Sequence, residues 1–188
     1  MIIVGVGANL EHPVYGTPRE TCGRALDALA QHQDISIVKC SRWYQSAPVF
    51  RDGNPSETGA EHPWYVNAAI SVHTRQTPAE LLDALMVVES MFGRVRSVDD
   101  APRTIDLDIV AFNDLVVETE KLTIPHPRLA QRAFVVLPVQ DLSAHWVHPK
   151  TGQSVNVLRE LLPPDQDIEA MPDAPGLFGT EWAGDKGN

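Results

Sequence analysis

The sequence predicts an α+β fold, an antiparallel sheet with helices packed on it, and three observations lead there. Short apolar runs with strand periodicity alternate with stretches of helical periodicity. One helix start carries a complete capping signature, Thr77-Pro78-Ala79-Glu80. A chain of 188 residues, 43% hydrophobic and 21% charged, has the size and composition of one folded core.

The elements follow in order. Ile2 to Val6 is a short β run, and after a polar loop a helical pattern runs from about Thr17 to Gln31 with Leu26 and Leu29 on one side. Ile35 to Tyr44 reads as a strand. A loop rich in Pro, Gly, Ser and Glu (Val49 to Pro63) leads to the next strand, Trp64 to His73. From the capping box, Leu81, Leu85, Val88 and Phe92 recur at helical spacing until Gly93 ends the helix. Thr104 to Phe112 sets Ile105, Leu107 and Ile109 against Asp106 and Asp108, the alternation of a half-buried strand. The order is β-α-β-β-α-β, a ferredoxin-like arrangement with helices on one face of the sheet. Residues 113–162 add a small hairpin and two helices, near Leu129 to Val139 and near Asn156 to Leu162.

Residues 1–162 form the folded body, and 163–188 an acidic, Pro/Gly-rich C-terminal tail with four Pro, four Gly and six acids against Lys186. Two readings of the tail stay open: a disordered terminus, or a segment docked on the body through Phe178 and Trp182. The formal net charge of −10 disfavours broad nucleic-acid or anionic-membrane binding. No apolar run approaches the roughly 18 residues that a bilayer span requires. The start, Met1 to Pro13, lacks a basic leader pattern, so a cytoplasmic location is expected. Cys22 and Cys40 have no metal or redox spacing and read as free thiols.

Asp106 and Asp108 leave the same strand face with Cα atoms about 6.5 to 7 Å apart, a separation at which two carboxylates share hard cations. The alternative is a plain polar solvent face. Around them Arg94, Arg96, Arg103, Arg128 and Arg132 fall within 39 residues. Arginine suits bidentate phosphate recognition, so the cluster points to a compact polyanion, with surface pairing to Asp99 and Asp100 as the competing reading. No P-loop is present, and Gly5-Val6-Gly7 lacks the third glycine of a dinucleotide fingerprint because Leu10 stands there. Those glycines suit close backbone approach or a turn before Asn9. Tyr65, Asn67 and Phe134 offer aromatic faces and an amide edge for a flat heterocycle, whereas core packing is the ordinary expectation for Phe134 and Trp64.

Taken together these residues resemble the 6-hydroxymethyl-7,8-dihydropterin pyrophosphokinases of folate biosynthesis, from about Ile2 to Leu162. The specific part is GRVRSVDDAPRTIDLDIVAF followed by LTIPHPRLAQRAFVVLPV; VGVGANL, SRWYQSAPV and WYVNAAISV are weaker echoes. The resemblance implies a monomer that moves the β,γ-pyrophosphoryl unit of ATP to the hydroxymethyl oxygen of the pterin and releases AMP. It implies two Mg²⁺ ions on Asp106 and Asp108, and Arg94 and Arg103 in a loop that closes on the nucleotide. His126 and Arg132 would contact ATP or its phosphates. Tyr65 and Phe134 would sandwich the pterin, with Asn67 on its edge and backbone groups of Ser46, Ala47 and Pro48 nearby. The closing loop departs from the family pattern, since Asp99-Asp100-Ala101 stand where a Trp-Gly pair is usual before Pro102-Arg103. Other readings are an enzyme for a different pterin alcohol, or a non-catalytic pterin- or nucleotide-binding protein.

Overall fold

The structure, a computed structural model, describes residues 1–49, 63–94 and 102–180. Strand β1 (Ile2–Ala8) leads to helix α1 (Pro18–Ala30), then to strands β2 (Ile35–Cys40), β3 (Tyr44–Ser46) and β4 (Tyr65–Thr74). Helix α2 (Pro78–Met91) and strand β5 (Asp106–Phe112) complete the expected order. After the hairpin β6 (Val117–Glu118) and β7 (Thr123–Ile124) come a 3-10 turn at Leu129–Gln131, helices α3 (Ala133–Leu142) and α4 (Val155–Glu160), and strand β8 (Ile168–Ala170).

The two long helices start the same way. Thr77 accepts from the Glu80 N–H while the Glu80 carboxylate accepts from the Thr77 N–H, and Thr17 and Glu20 repeat the device at α1. The Thr-Pro-x-Glu signature is thus present twice in the chain. The main sheet runs β5-β1-β4-β3-β8, and β2 also pairs with β4, all antiparallel.

One expected strand is two. Residues 35–44 break at Ser41-Arg42-Trp43, after a register shift between Ile37 and Lys39. The Ser41 hydroxyl accepts from the Ala69 N–H at 2.9 Å and so bridges the gap in the ladder.

A second difference concerns the layers. Helices α1 and α2 cover one face, where Val4, Val6, Ala68 and Ile70 meet Leu26, Leu29, Leu81 and Leu85. The other face is covered too: Ile3, Ala69 and Val110 pack against Val136, Val139 and Leu158 of α3 and α4. The strongly buried run Val66 to Val72 of β4 is the local sign of two-sided burial, and it makes the molecule three-layered. Each Leu or Ile taken wholly out of water contributes about 2 kcal/mol. Trp64, expected in the core, precedes the strand and is 46% exposed.

Residues 163–180 run back over the body. β8 extends the sheet beside β3, the Trp43 indole N–H donates to the Phe178 carbonyl at 2.8 Å, and Phe178 packs on the α1/α2 core. Arg19 donates to the carbonyls of Pro172 and Gly179. Gly23, in mid-helix, explains itself here: a Cβ on it would lie 2.2 Å from the Thr180 hydroxyl. Trp182 lies outside the described residues, as do Arg96, Asp99, Asp100 and Ala101. No helix among the described residues is long and apolar enough to cross a membrane.

Candidate active site

Antiparallel register assembles the site. Gly7 of β1 stands opposite Asp106 of β5 on one side and Asn67 of β4 on the other; Gly5 stands between Asp108 and Ala69 in the same way. Directly opposed residues share a face, so Asp106, Asp108 and Asn67 rise from one surface with glycines between them. The glycines leave the floor bare. A Cβ on Gly7 would come 3.2 Å from Asn67 Oδ1, and one on Gly5 3.2 Å from Val110 Cγ2. This is the α3 side of the sheet, and the result is an open cleft with about 490 Å³ of empty space, the solvent at its mouth included.

Six of the residues singled out in the sequence line that cleft together: Asn67, Asp106, Asp108, His126, Arg132 and Phe134. Two more reach it through Asp106. Arg103 Nη1 donates to Asp106 Oδ2 at 2.7 Å, and Arg94 Nη1 lies 2.6 Å from Oδ1 in an ion pair. That pair lacks hydrogen-bonding geometry, so the buried Oδ1 has no hydrogen-bond donor. Ser46 joins through its hydroxyl, which accepts from Asn67 Nδ2 at 3.0 Å. Tyr65 stands opposite Ser46 in the ladder but does not line this cleft. The Ala47 N–H is already donated to the Asp167 carbonyl at 2.9 Å and Pro48 has none, so this stretch can offer a ligand carbonyls only.

Three residues matter that sequence reading passed over. Glu89, 3% exposed on the last turn of α2, accepts from the Leu107 N–H at 2.8 Å and pairs with Arg94. A carboxylate four residues after Leu85, on the face that buries Val88 and Phe92, was its available signal. Asn9 accepts from the Arg103 N–H at 2.7 Å and its own N–H donates back to the Arg103 carbonyl, fixing that backbone beside Asp106. Gln166 reaches the start of α3 from the C-terminal segment.

Burial, and then the charge of Asp108, push the Asp106 carboxyl above the usual carboxylate range despite the two arginines. Burial does most to push His126 down to about 4, with Arg132 and Arg128 adding to it. His126 Nδ1 accepts from the Arg128 N–H at 3.2 Å, so the neutral ring carries its proton on Nε2 as a donor. Arg132 also stands over the Phe134 ring, 5.2 Å from guanidinium carbon to centroid.

Among the described residues no group of three or more His, Cys, Asp and Glu could hold a metal ion alone. Two adjacent carboxylates, one with an oxygen lacking a donor, fit an ion that takes its remaining ligands from phosphates and water, the ordinary habit of Mg²⁺.

Residues 3–144 match a family model described as 7,8-dihydro-6-hydroxymethylpterin-pyrophosphokinase. A Synechocystis protein named 2-amino-4-hydroxy-6-hydroxymethyldihydropteridine pyrophosphokinase is 34% identical over 93% of this chain and 81% of its own length. A Pseudomonas aeruginosa protein of the same name is 35% identical over 92% of this chain and 98% of its own. The Pneumocystis carinii folic acid synthesis protein fol1 is 37% identical over 78% of this chain, which spans only 19% of that longer protein. Among solved structures, Plasmodium falciparum HPPK-DHPS superposes with a TM-score of 0.61 at 13% identity, covering 85% of this chain and 44% of that one, a likeness of fold alone.

Proposed function

Because the chain belongs to the 7,8-dihydro-6-hydroxymethylpterin-pyrophosphokinase family, we propose that it transfers pyrophosphate from ATP to the hydroxymethyl group of 6-hydroxymethyl-7,8-dihydropterin in folate biosynthesis. The pterin hydroxymethyl oxygen attacks the β-phosphorus, the bond from that phosphorus to the α,β-bridging oxygen breaks, and AMP leaves with the bridging oxygen. The hydroxyl proton is lost to solvent or a phosphate oxygen. The observation that carries this reading is the register that sets Asn67, Gly7 and Asp106 side by side, so that a heterocycle edge and a polyphosphate can be held on one floor.

Asn67 reads the pterin edge, with its amide oriented by the Ser46 hydroxyl. Phe134 supplies a stacking face from the first turn of α3; Tyr65, on the Asn67 side of β4 but outside the cleft in this structure, would supply a second by turning over the bound pterin. Asp106 and Asp108 would hold two Mg²⁺ ions, which would neutralise charge between carboxylates and phosphates. Arg94 and Arg103, held beside the floor by their pairs with Asp106, would bring their guanidinium groups to the transferring phosphates. His126 donates from Nε2 and Arg132 adds positive charge to the nucleotide. The protein acts as a cytoplasmic monomer.

The test is AMP release, followed by phosphorus NMR or a coupled assay, with the full chain, ATP, Mg²⁺ and the hydroxymethylpterin. AMP formed only when all three are present is the expected result. No AMP, or AMP formed equally well without the pterin, would overturn the assignment.

A further inference from the structure

We propose that Gln166 is a positioning residue for the substrate cleft, and that the segment around it is a strap holding the two walls of the cleft at their working distance. The inference rests on the pyrophosphokinase reading of that cleft. It concerns a stretch beyond residues 3–144, the part that matches the family model.

Helix α3 begins at Ala133, with Arg132 at its N-cap. An arginine side chain has donors only, so it cannot cap the first N–H groups of a helix, and Arg132 makes no capping bond. The acceptor comes from elsewhere in the chain. Gln166 Oε1 accepts from the Ala133 N–H at 2.8 Å, and Gln166 Nε2 donates to the Gln131 carbonyl at 2.7 Å. One side-chain amide therefore grips the peptide groups on both sides of Arg132. Arg132 and Phe134, one residue either side of Ala133, both line the cleft.

The next residue along ties the opposite wall. The Asp167 carbonyl accepts from the Ala47 N–H at 2.9 Å, directly after Ser46, whose hydroxyl orients Asn67. From there β8 pairs with β3 through Ile168 to Ser46, and the Met171 N–H donates to the Trp43 carbonyl at 2.8 Å. The strap is anchored at its far end by Arg19 on the Pro172 and Gly179 carbonyls. Consecutive residues Gln166 and Asp167 thus connect the helix that presents Phe134 with the strand end that presents Ser46.

Gln166→Met keeps the length and apolar volume of the side chain and removes both hydrogen bonds. Released from the clamp, the Arg132 peptide and the first turn of α3 sample other orientations, and Phe134 is held less well over the cleft. The expected result is a three- to tenfold rise in KM for the hydroxymethylpterin, with kcat within about twofold of the parent and a thermal midpoint lowered by only about 2 to 4 °C, as loss of one helix cap does. Gln166→Glu keeps the acceptor for the Ala133 N–H and loses the donor to Gln131, so it should fall between parent and Met variant. A merely structural role would lower the thermal midpoint and leave KM alone, and that outcome overturns the proposal. Exchange of the Ala133 amide with deuterium reads the clamp without reference to activity. It should quicken at least fivefold in Gln166→Met, and unchanged protection contradicts the clamp. A parent that releases no AMP overturns the pyrophosphokinase reading, while an active parent whose Gln166→Met variant keeps its KM overturns the strap.

Discussion

At the scale of single residues the site depends on charge held apart and charge held together. Asp108 is exposed, so Asp108→Ala removes a proposed metal ligand without opening the core. The expected outcome is a fold unchanged by circular dichroism and AMP formation reduced on the order of 100-fold or more; full activity at ordinary Mg²⁺ would exclude a ligand role. Phe134→Ala should weaken pterin binding by about 1 to 3 kcal/mol, as lost stacking does for nucleic-acid bases, and titration of the pterin's own fluorescence measures it. His126 sets a pH dependence. Its pKa falls from 6.5 to about 4 in the folded protein, so the unfolded chain binds the proton more readily. The stability linked to His126 is therefore fully present above pH 6.5 and is lost as pH falls from 6.5 through about 4. The amount is about 3 kcal/mol at about 1.4 kcal/mol per unit. Urea melts across that window should show the slope in the parent and a shallower one in His126→Gln.

Elements decide where those residues stand, and here sequence and structure part at identifiable places. Helix α2 was legible because Thr77, Pro78 and Glu80 mark its start and apolar residues recur at one face until Gly93. Strand β5 was legible from its alternation, and with it the shared face of Asp106 and Asp108. The break between β2 and β3 was not, because Ser41 replaces a ladder contact with a side-chain one that no periodicity records. Helices on both faces were missed although β4 carries the evidence: small and apolar residues fill both of its sides. Phe134 was weighed as core and as stacking face, and its place in the first turn of α3, where it lines the cleft, depends on a cap supplied from 33 residues away. Glycines belong to this scale too. Gly7→Ala puts a Cβ 3.2 Å from Asn67 Oδ1, so the amide must give by a few tenths of an ångström. The expected outcome is pterin KM raised severalfold with little change in melting temperature, since Ala in a strand interior otherwise favours folding. Unaltered KM would mean that the floor tolerates a methyl group.

Over the whole molecule, a sheet buried on both faces leaves the ends of its central strands as the place where polar groups can gather without desolvation from both sides. The cleft lies there, at the junction of β1, β4, β5 and the start of α3. Helices α1 and α2 stabilise the far side, where the C-terminal segment also seats Thr180 on Gly23 and Phe178 on the core, while Gln166 of the same segment ties the near side at the start of α3. Docking through Phe178 was one of two open readings of this segment, but its path was not legible, because Phe178 and Met171 are too few to show a pattern and the bonds that seat it are to backbone carbonyls. If this architecture serves pyrophosphoryl transfer, the products are fixed by the bond that breaks, and phosphorus NMR identifies them. With ATP, Mg²⁺ and 6-hydroxymethyl-7,8-dihydropterin, the full chain should yield AMP and a pterin diphosphate in equal amounts, and Asp108→Ala should yield only traces of either in the same time. ADP with a pterin monophosphate, or no phosphorylated pterin at all, would contradict it.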